Sequence, residues 1–365
     1  ILVADREGVS QHRYWQLTSS ESERKSEKDW SMNIASALES SVVSQMVSDV
    51  PLGAFLSGGI DSSAVVAFMA RNSDRPVKTY SIGFGRGTGG SYYNELPFAR
   101  QVASQFGTDH HEIIVEPDVT ELLPKLLWHM DEPIADAAFI TTYLVSEFAR
   151  EDVTVILSGV GGDELFGGYR RYWSEHLASR YRRIPAPIRK YLVQPLGQLL
   201  PSDRHSRLLD RTRLLKGFLR SAELEPDERY EDYVRVFDRE DLAELTGGGK
   251  NVRSGAMEDA FARASSGDPV QRLINVDLQT QLPDDLLMLT DRMSMATSLE
   301  CRVPLLDDRL VDLASSMPAE LKVNGTRLKF ALKQALRGVL PDDIIDRQKR
   351  GFGAPIGGWF KNELS

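Results

Sequence analysis

The run Leu52-Gly53-Ala54-Phe55-Leu56-Ser57-Gly58-Gly59-Ile60-Asp61-Ser62-Ser63 sets an apolar segment of strand length before a serine-glycine-glycine turn. Apolar residues at helical spacing follow at once, from Ala64 to Met69, so the expectation is strand, tight loop, helix. Two adjacent glycines let the backbone turn without a Cβ in the way, and the amides of a new helix point at any anion placed there. Ser57, Ser62 and Ser63 add hydroxyls, and Asp61 adds a carboxylate where a phosphate-bound cation would rest. An ordinary strand-to-helix turn capped by Asp61 and Ser62 would use the same residues. The loop therefore needs support from the rest of the chain.

Around this segment, 365 residues suit two domains or one α/β domain with a helical extension, and 41% apolar residues supply a sizeable core. A formal charge of −9 speaks against a general nucleic-acid partner, because phosphates would be repelled. The basic run from Arg180 to Lys190 reads as a solvated helix face. One cysteine, Cys301, leaves no internal disulfide framework and no cysteine-based zinc site, and fits a reducing compartment. No run approaches about 18 apolar residues, and Ile1 to Arg6 lacks the flanks of a secretory signal, so a cytoplasmic protein without membrane contact is expected. The chain opens without Met inside a strand-like run and reads as a fragment whose upstream portion is missing.

Taken in order, Ile1 to Leu17 predicts a hairpin turning near Glu7-Gly8, and the polar stretch Thr18 to Lys28 predicts a linker. Trp30 to Val47 carries Ile34, Leu38, Val42 and Met46 at helical spacing. Strands are expected over Val77 to Phe84, His110 to Val115 and Val153 to Leu157, with helices over Glu95 to Phe106, Val119 to His129 and Ala137 to Ala149. Gly85 to Gly90 predicts a mobile loop. Such alternation implies right-handed crossovers and a parallel sheet covered on both faces, with ligands at the carboxyl ends of the strands. The loops at Ser57, Gly83 and beyond Leu157 should then converge on one crevice. From Tyr169 to about Arg347 the pattern is helical, broken at Pro185, Pro187, Pro195 and Pro201 and loosened at Gly247-Gly248-Gly249.

Three further segments bear on chemistry. Ser158-Gly159-Val160-Gly161-Gly162-Asp163-Glu164-Leu165-Phe166-Gly167-Gly168-Tyr169 packs five glycines into twelve residues at the end of a buried strand, which means close backbone approach with two carboxylates in it. Asp163 facing Asp61 would give Mg²⁺ the one or two carboxylates it takes beside phosphate oxygens. A glycine-rich turn whose acids cap the next helix would look the same. Arg347-Gln348-Lys349-Arg350-Gly351-Phe352-Gly353 is cationic and then glycine-rich, and a lysine there can reach phosphates. Asp291 to Ala296, continuing through Ser298 to Asp307, alternates charge with Met and Leu as a buried helix end with internal ion pairs does.

No Gly-Lys-Ser/Thr follows the first loop at Walker A spacing. The loop resembles the Ser-Gly-Gly-x-Asp-Ser motif of ATP pyrophosphatases, which split ATP between the α and β phosphates and adenylate a substrate. With Ser-Gly-x-Gly-x-Asp-Glu, Ser-Leu-Glu-x-Arg-Val-Pro and Lys-x-Gly-Phe in this order, Trp30 to Trp359 resembles the synthetase domain of the asparagine synthetase family. The resemblance implies an α/β fold: a parallel five-stranded sheet with helices on both faces, of the adenine nucleotide alpha hydrolase-like, PP-loop type, plus a helical C-terminal half. It makes residues 1–28 a remnant of a preceding domain and linker, 29–170 the nucleotide-binding part and 171–365 the mainly helical part.

The resemblance puts ATP on Leu56, Ser57, Gly58, Gly59, Asp61 and Ser62, adenine against Ile82 and Gly83, and Ser158 and Gly159 beside the nucleotide. It puts Mg²⁺ on Asp61 and Asp163, and catalytic roles on Asp163, Glu164 and Lys349, the last stabilising charge as pyrophosphate leaves. The implied partners are a small-molecule acid, aspartate in the family, and ammonia or another amine, with a glutaminase domain upstream in the full-length protein and room for a homodimer. Cys301 sits in the Ser-Leu-Glu-x-Arg-Val-Pro segment, where packing is the expected role. Val160 departs from the family, in which a glutamate at this place is thought to handle the proton of the incoming ammonia. Relatives that close a ring, as β-lactam synthetase does, or that amidate a peptide or sugar acid, share the same adenylation. A binding-only module has no need to keep Asp61, Asp163 and Lys349 together.

Overall fold

The computed structural model describes residues 1–17, 25–85, 94–193, 195, 215–237, 239–247, 255–264 and 266–347. Strands β1 (Leu2–Asp5) and β2 (Gly8–Gln11) form the expected hairpin, turning at Arg6-Glu7 where Asp5 accepts from the Glu7 and Gly8 amides. Helix α1 (Glu27–Gln45) starts three residues earlier than its apolar spacing suggests. Ser26 and Asp29 form a reciprocal capping box that satisfies the first amides, so the end of the polar stretch belongs to the helix.

The central sheet runs β3 (Leu52–Phe55), β4 (Lys78–Phe84), β5 (Asp109–Val115), β6 (Val155–Leu157) and β7 (Glu300–Arg302), in the spatial order β5-β4-β3-β6-β7. Every pairing in it is parallel. From β3 the chain steps outward to β4 and β5, then returns to the other side of β3 for β6 and β7. The order therefore reverses between β3 and β6, the place where sheets of this kind form a crevice beyond the carboxyl ends of the strands.

Side-chain alternation divides the sheet between two layers. Ala54, Leu56, Val155 and Leu157 pack under α1, α2 (Ile60–Arg71) and α3 (Leu96–Phe106). Tyr80, Ile82, Phe84 and Ile156 face α4 (Val119–Met130), α5 (Ala138–Arg150) and a helix from Met288 to Met295. The fifth strand corrects the reading of Asp291 to Asp307 as one helix end. Ser298, at φ 62, ends the helical stretch, and Glu300 to Arg302 pair with Val155 to Leu157. Three residues are too few for a two-residue period to show.

Among the described residues after Tyr169, most are helical, as expected. The buried pair Arg229–Glu175, 2.7 Å apart, ties Pro226–Val234 to Arg170–Tyr181. Asp277, wholly buried, accepts from Arg171 at 3.0 Å, from Tyr230 at 2.5 Å and from Tyr172. In the basic run, Arg182 pairs with Glu225 and Arg189 with Glu223, so those charges are neutralised within the helical part. Of the Gly85 to Gly90 loop only Gly85 is among the described residues. None of the helices among the described residues is long and apolar enough to cross a membrane.

Candidate active site

Strand β3 delivers Ser57-Gly58-Gly59 to the crevice, and α2 begins one residue later. Gly58 sits at φ 68, and a Cβ there would lie 2.5 Å from the Phe98 carbonyl carbon. Only glycine both takes that conformation and lets α3 approach so closely. The loop is held from within: Ser57 Oγ lies 3.0 Å from Ser62 Oγ, and Gly59 N donates to Ser57 Oγ at 3.2 Å. Leu56 N donates to Tyr80 O at 2.9 Å, and the Ser81 hydroxyl donates to Leu56 O, which fixes the loop against β4. Ile82 and Gly83 lie near the carboxyl end of that neighbouring strand, just before Phe84, with Gly83 against Leu96.

The second loop approaches from β6. Ser158 N donates to Arg302 O at 2.8 Å, and a Cβ on Gly159 would fall 2.6 Å from Ser62 N. The two loops are in backbone contact, as the strand order requires. Asp61 and Asp163 then converge on a residue the sequence reading did not single out: Lys329, 4% exposed, whose Nζ lies 2.5 Å from Asp61 Oδ2 and 2.7 Å from Asp163 Oδ1. Burial opposes the charge on this lysine, but Asp163 and Asp61 outweigh it and raise its pKa above the ordinary lysine value. No motif flags Lys329; it is one lysine before a short apolar helix, Phe330–Ala335, and only the fold carries it into the crevice.

A Cβ on Gly162 would fall 2.4 Å from Asp61 Oδ1, and one on Gly168 would fall 1.8 Å from Asp163 Oδ1. Both glycines keep space open around the carboxylates. Among the described residues no three His, Cys, Asp or Glu side chains group as a complete metal cage. Two carboxylates without a cage suit Mg²⁺ that arrives with phosphate oxygens.

Glu164 is placed differently from Asp163. It is 1% exposed, and the Tyr169 hydroxyl donates to its Oε1. Burial, and then the charge of Asp163, push its carboxyl up to about 7. A folded-state pKa above the ordinary glutamate value of about 4.5 means that the folded chain holds a proton the unfolded chain has released, so this group's contribution to stability is full below about pH 4.5 and declines as pH rises toward 7. Thermal unfolding of wild type and Glu164→Gln across this window should show wild type losing ground to the amide at up to about 1.4 kcal/mol per pH unit. A constant difference from pH 5 to 8 would mean that Glu164 stays ionised when folded.

Lys349 lies outside the described residues, but Arg347 in the same basic segment does not. Its guanidinium donates to Gly58 O at 3.0 Å, pairs with Glu95 and sits 3.9 Å from the Phe98 ring centroid. The basic segment thus starts on the first loop, which charge alone could not reveal. Val160, half-buried, follows Ser158 and Gly159 on the second loop, with its amide 3.4 Å from Ser158 Oγ. Burial pushes the Cys301 thiol up to about 12, which leaves almost no thiolate near neutrality and fits the packing role.

Comparison with known proteins adds independent findings. The asparagine synthase family model matches residues 33–365. Asparagine synthetase [glutamine-hydrolyzing] 1 of Bacillus subtilis is 35% identical over 335 residues, 91% of this chain and 51% of that protein. A putative asparagine synthetase [glutamine-hydrolyzing] of Mycobacterium tuberculosis is 35% identical over 331 residues, 90% of this chain and 48% of that protein. The chain spans about half the length of these curated relatives. At 22% identity it also matches amidase chry2 of Gibberella zeae, covering 98% of this chain and 58% of that one. Among solved structures, NMN synthetase from Francisella tularensis aligns with a TM-score of 0.29 and 13% identity, over 70% of this chain and 94% of that one.

Proposed function

The chain belongs to the asparagine synthase family, and on that premise we propose that it is an ATP-dependent, amide-forming ligase that releases AMP and pyrophosphate. A substrate carboxylate, aspartate in our reading, attacks the α-phosphorus; the bond to the oxygen bridging α and β breaks, and pyrophosphate leaves. Ammonia or another amine then attacks the acyl carbon of the adenylate, AMP departs, and the amine loses a proton. The observation that carries this reading is the convergence of Asp61 and Asp163 beside a serine-glycine loop at the point where the strand order reverses.

In this reading Leu56, Ser57, Gly58, Gly59 and Ser62 hold the nucleotide, Ile82 and Gly83 flank the adenine, and Ser158 and Gly159 close the other side. Asp61 and Asp163 hold Mg²⁺, which supplies charge neutralisation on the phosphates. Lys349 stabilises the leaving pyrophosphate. Most of the acceleration is positioning and electrostatics. The relatives' glutamine-hydrolysing names and their extra length support a glutaminase domain upstream in the full protein, and a cytoplasmic setting suits the single reduced cysteine. Incubation with ATP, Mg²⁺, aspartate and ammonia should yield asparagine, AMP and pyrophosphate in equal amounts. ADP and phosphate as products would refute the proposal.

Val160 favours a second reading, in which the acceptor is another acid and the amine's base comes with the substrate. Valine takes no proton, which leaves Glu164 or the departing phosphate for that task, and general-base help is worth about 10²- to 10⁴-fold. On this second reading wild type makes asparagine in well under one-to-one yield with pyrophosphate, and Val160→Glu should raise that ratio several-fold at unchanged pyrophosphate release. A wild-type ratio already near one at high rate would dismiss the second reading.

A further inference from the structure

The ammonium of Lys329 uses the same carboxylates a divalent cation would use. Its Nζ is within hydrogen-bonding distance of Asp61 Oδ2 and Asp163 Oδ1, and its backbone is left-handed at φ 54, a region an L-residue keeps only when its surroundings impose it. Gly168 makes room for the stem, since a Cβ there would fall 2.3 Å from Lys329 Cε. Two negative charges and one positive one are thus already arranged in a largely buried cluster.

We propose that Lys329 is a positioning residue that acts as a monovalent placeholder: its ammonium competes with divalent metal for Asp61 and Asp163, so the pair takes up metal only together with a nucleotide's phosphates. The inference deepens the nucleotide reading and rests on it. A lone divalent ion would have to displace the ammonium from both acids and strand it, buried and unpaired, which is costly. Mg²⁺ also sheds water reluctantly and is seldom held by two carboxylates alone. A triphosphate removes both obstacles at once, bringing oxygen ligands for the metal and acceptors for the ammonium. The consequence is an order of binding: the metal–nucleotide complex is the species recognised, and free metal does not load the site first.

Mn²⁺ serves as the probe, with its free ion followed by electron paramagnetic resonance on the full chain. Wild type should bind Mn²⁺ at least tenfold more tightly with α,β-methylene ATP, which cannot be split at the reacting bond, than without it. Lys329→Met, shown folded by circular dichroism, should bind Mn²⁺ without nucleotide at least tenfold more tightly than wild type, and adding Asp163→Asn should abolish that gain. Should Lys329→Met fail to fold, Lys329→Gln enters the same comparison. A folded variant that binds Mn²⁺ no better than wild type overturns the placeholder role, as does wild type binding Mn²⁺ equally well with and without the analogue. If wild type does not bind the analogue at all, the nucleotide reading fails, while metal binding by the Lys329 variant still judges the competition.

Discussion

Asp61→Asn is expected to lower AMP and pyrophosphate formation by at least about 10³-fold at saturating ATP, with the fold intact. Asn keeps the size of the side chain, so the contact with Gly162 survives, but the amide removes one of the two charges that converge on Lys329. Lys329 would remain paired with Asp163, and only a modest loss of thermal stability should follow. The rate loss comes from phosphate charge that is no longer neutralised as the α–β bond breaks. A decrease below tenfold would take Asp61 out of the chemistry and leave it as the partner of a structural lysine.

The second large effect is expected at Lys349. Lys349→Ala should reduce kcat for adenylation by about 10²-fold or more while ATP affinity stays within a few-fold, because charge needed mainly in the transition state lowers the rate and not binding. Arg347 supplies the structural reason to expect chemistry here, since it fastens the start of the basic segment to Gly58 O in the Ser57-Gly58-Gly59 loop. Parallel losses in affinity and kcat would instead make Lys349 a ground-state phosphate clamp. A thermal scan of the variant separates either outcome from a folding defect.

The α/β half was legible because its signals are local. Apolar runs of strand length, helical spacing and the Ser57-Gly58-Gly59 turn each specify their element, and four of the five strands fall where the spacing puts them. Cap chemistry moved one boundary, when Ser26 and Asp29 drew α1 back to Glu27. The fifth strand escaped because three residues with Cys301 at their centre carry no period. Asp61 and Asp163 could be proposed as partners since glycine-rich loops at strand ends converge in a doubly wound sheet. Lys329 could not, because what makes it part of the site is a contact across 268 residues to Asp61, together with its burial. Arg347 was visible as charge, whereas its seat between Gly58, Glu95 and Phe98 depends on how the last described segment crosses α3. Glu164, adjacent to Asp163 in sequence, turned out to be enclosed with Tyr169, a difference that neighbouring letters do not show.

A carboxylate that attacks the α-phosphorus of ATP leaves one of its own oxygens on that phosphorus when the amine later displaces AMP. Aspartate labelled with ¹⁸O in its side-chain carboxylate can be turned over with ATP, Mg²⁺ and ammonia and the label followed by ³¹P nuclear magnetic resonance. AMP carrying one ¹⁸O, unlabelled pyrophosphate and asparagine are expected in equal yield. AMP without label, or ADP and phosphate in its place, would rule out carboxylate attack at the α-phosphorus.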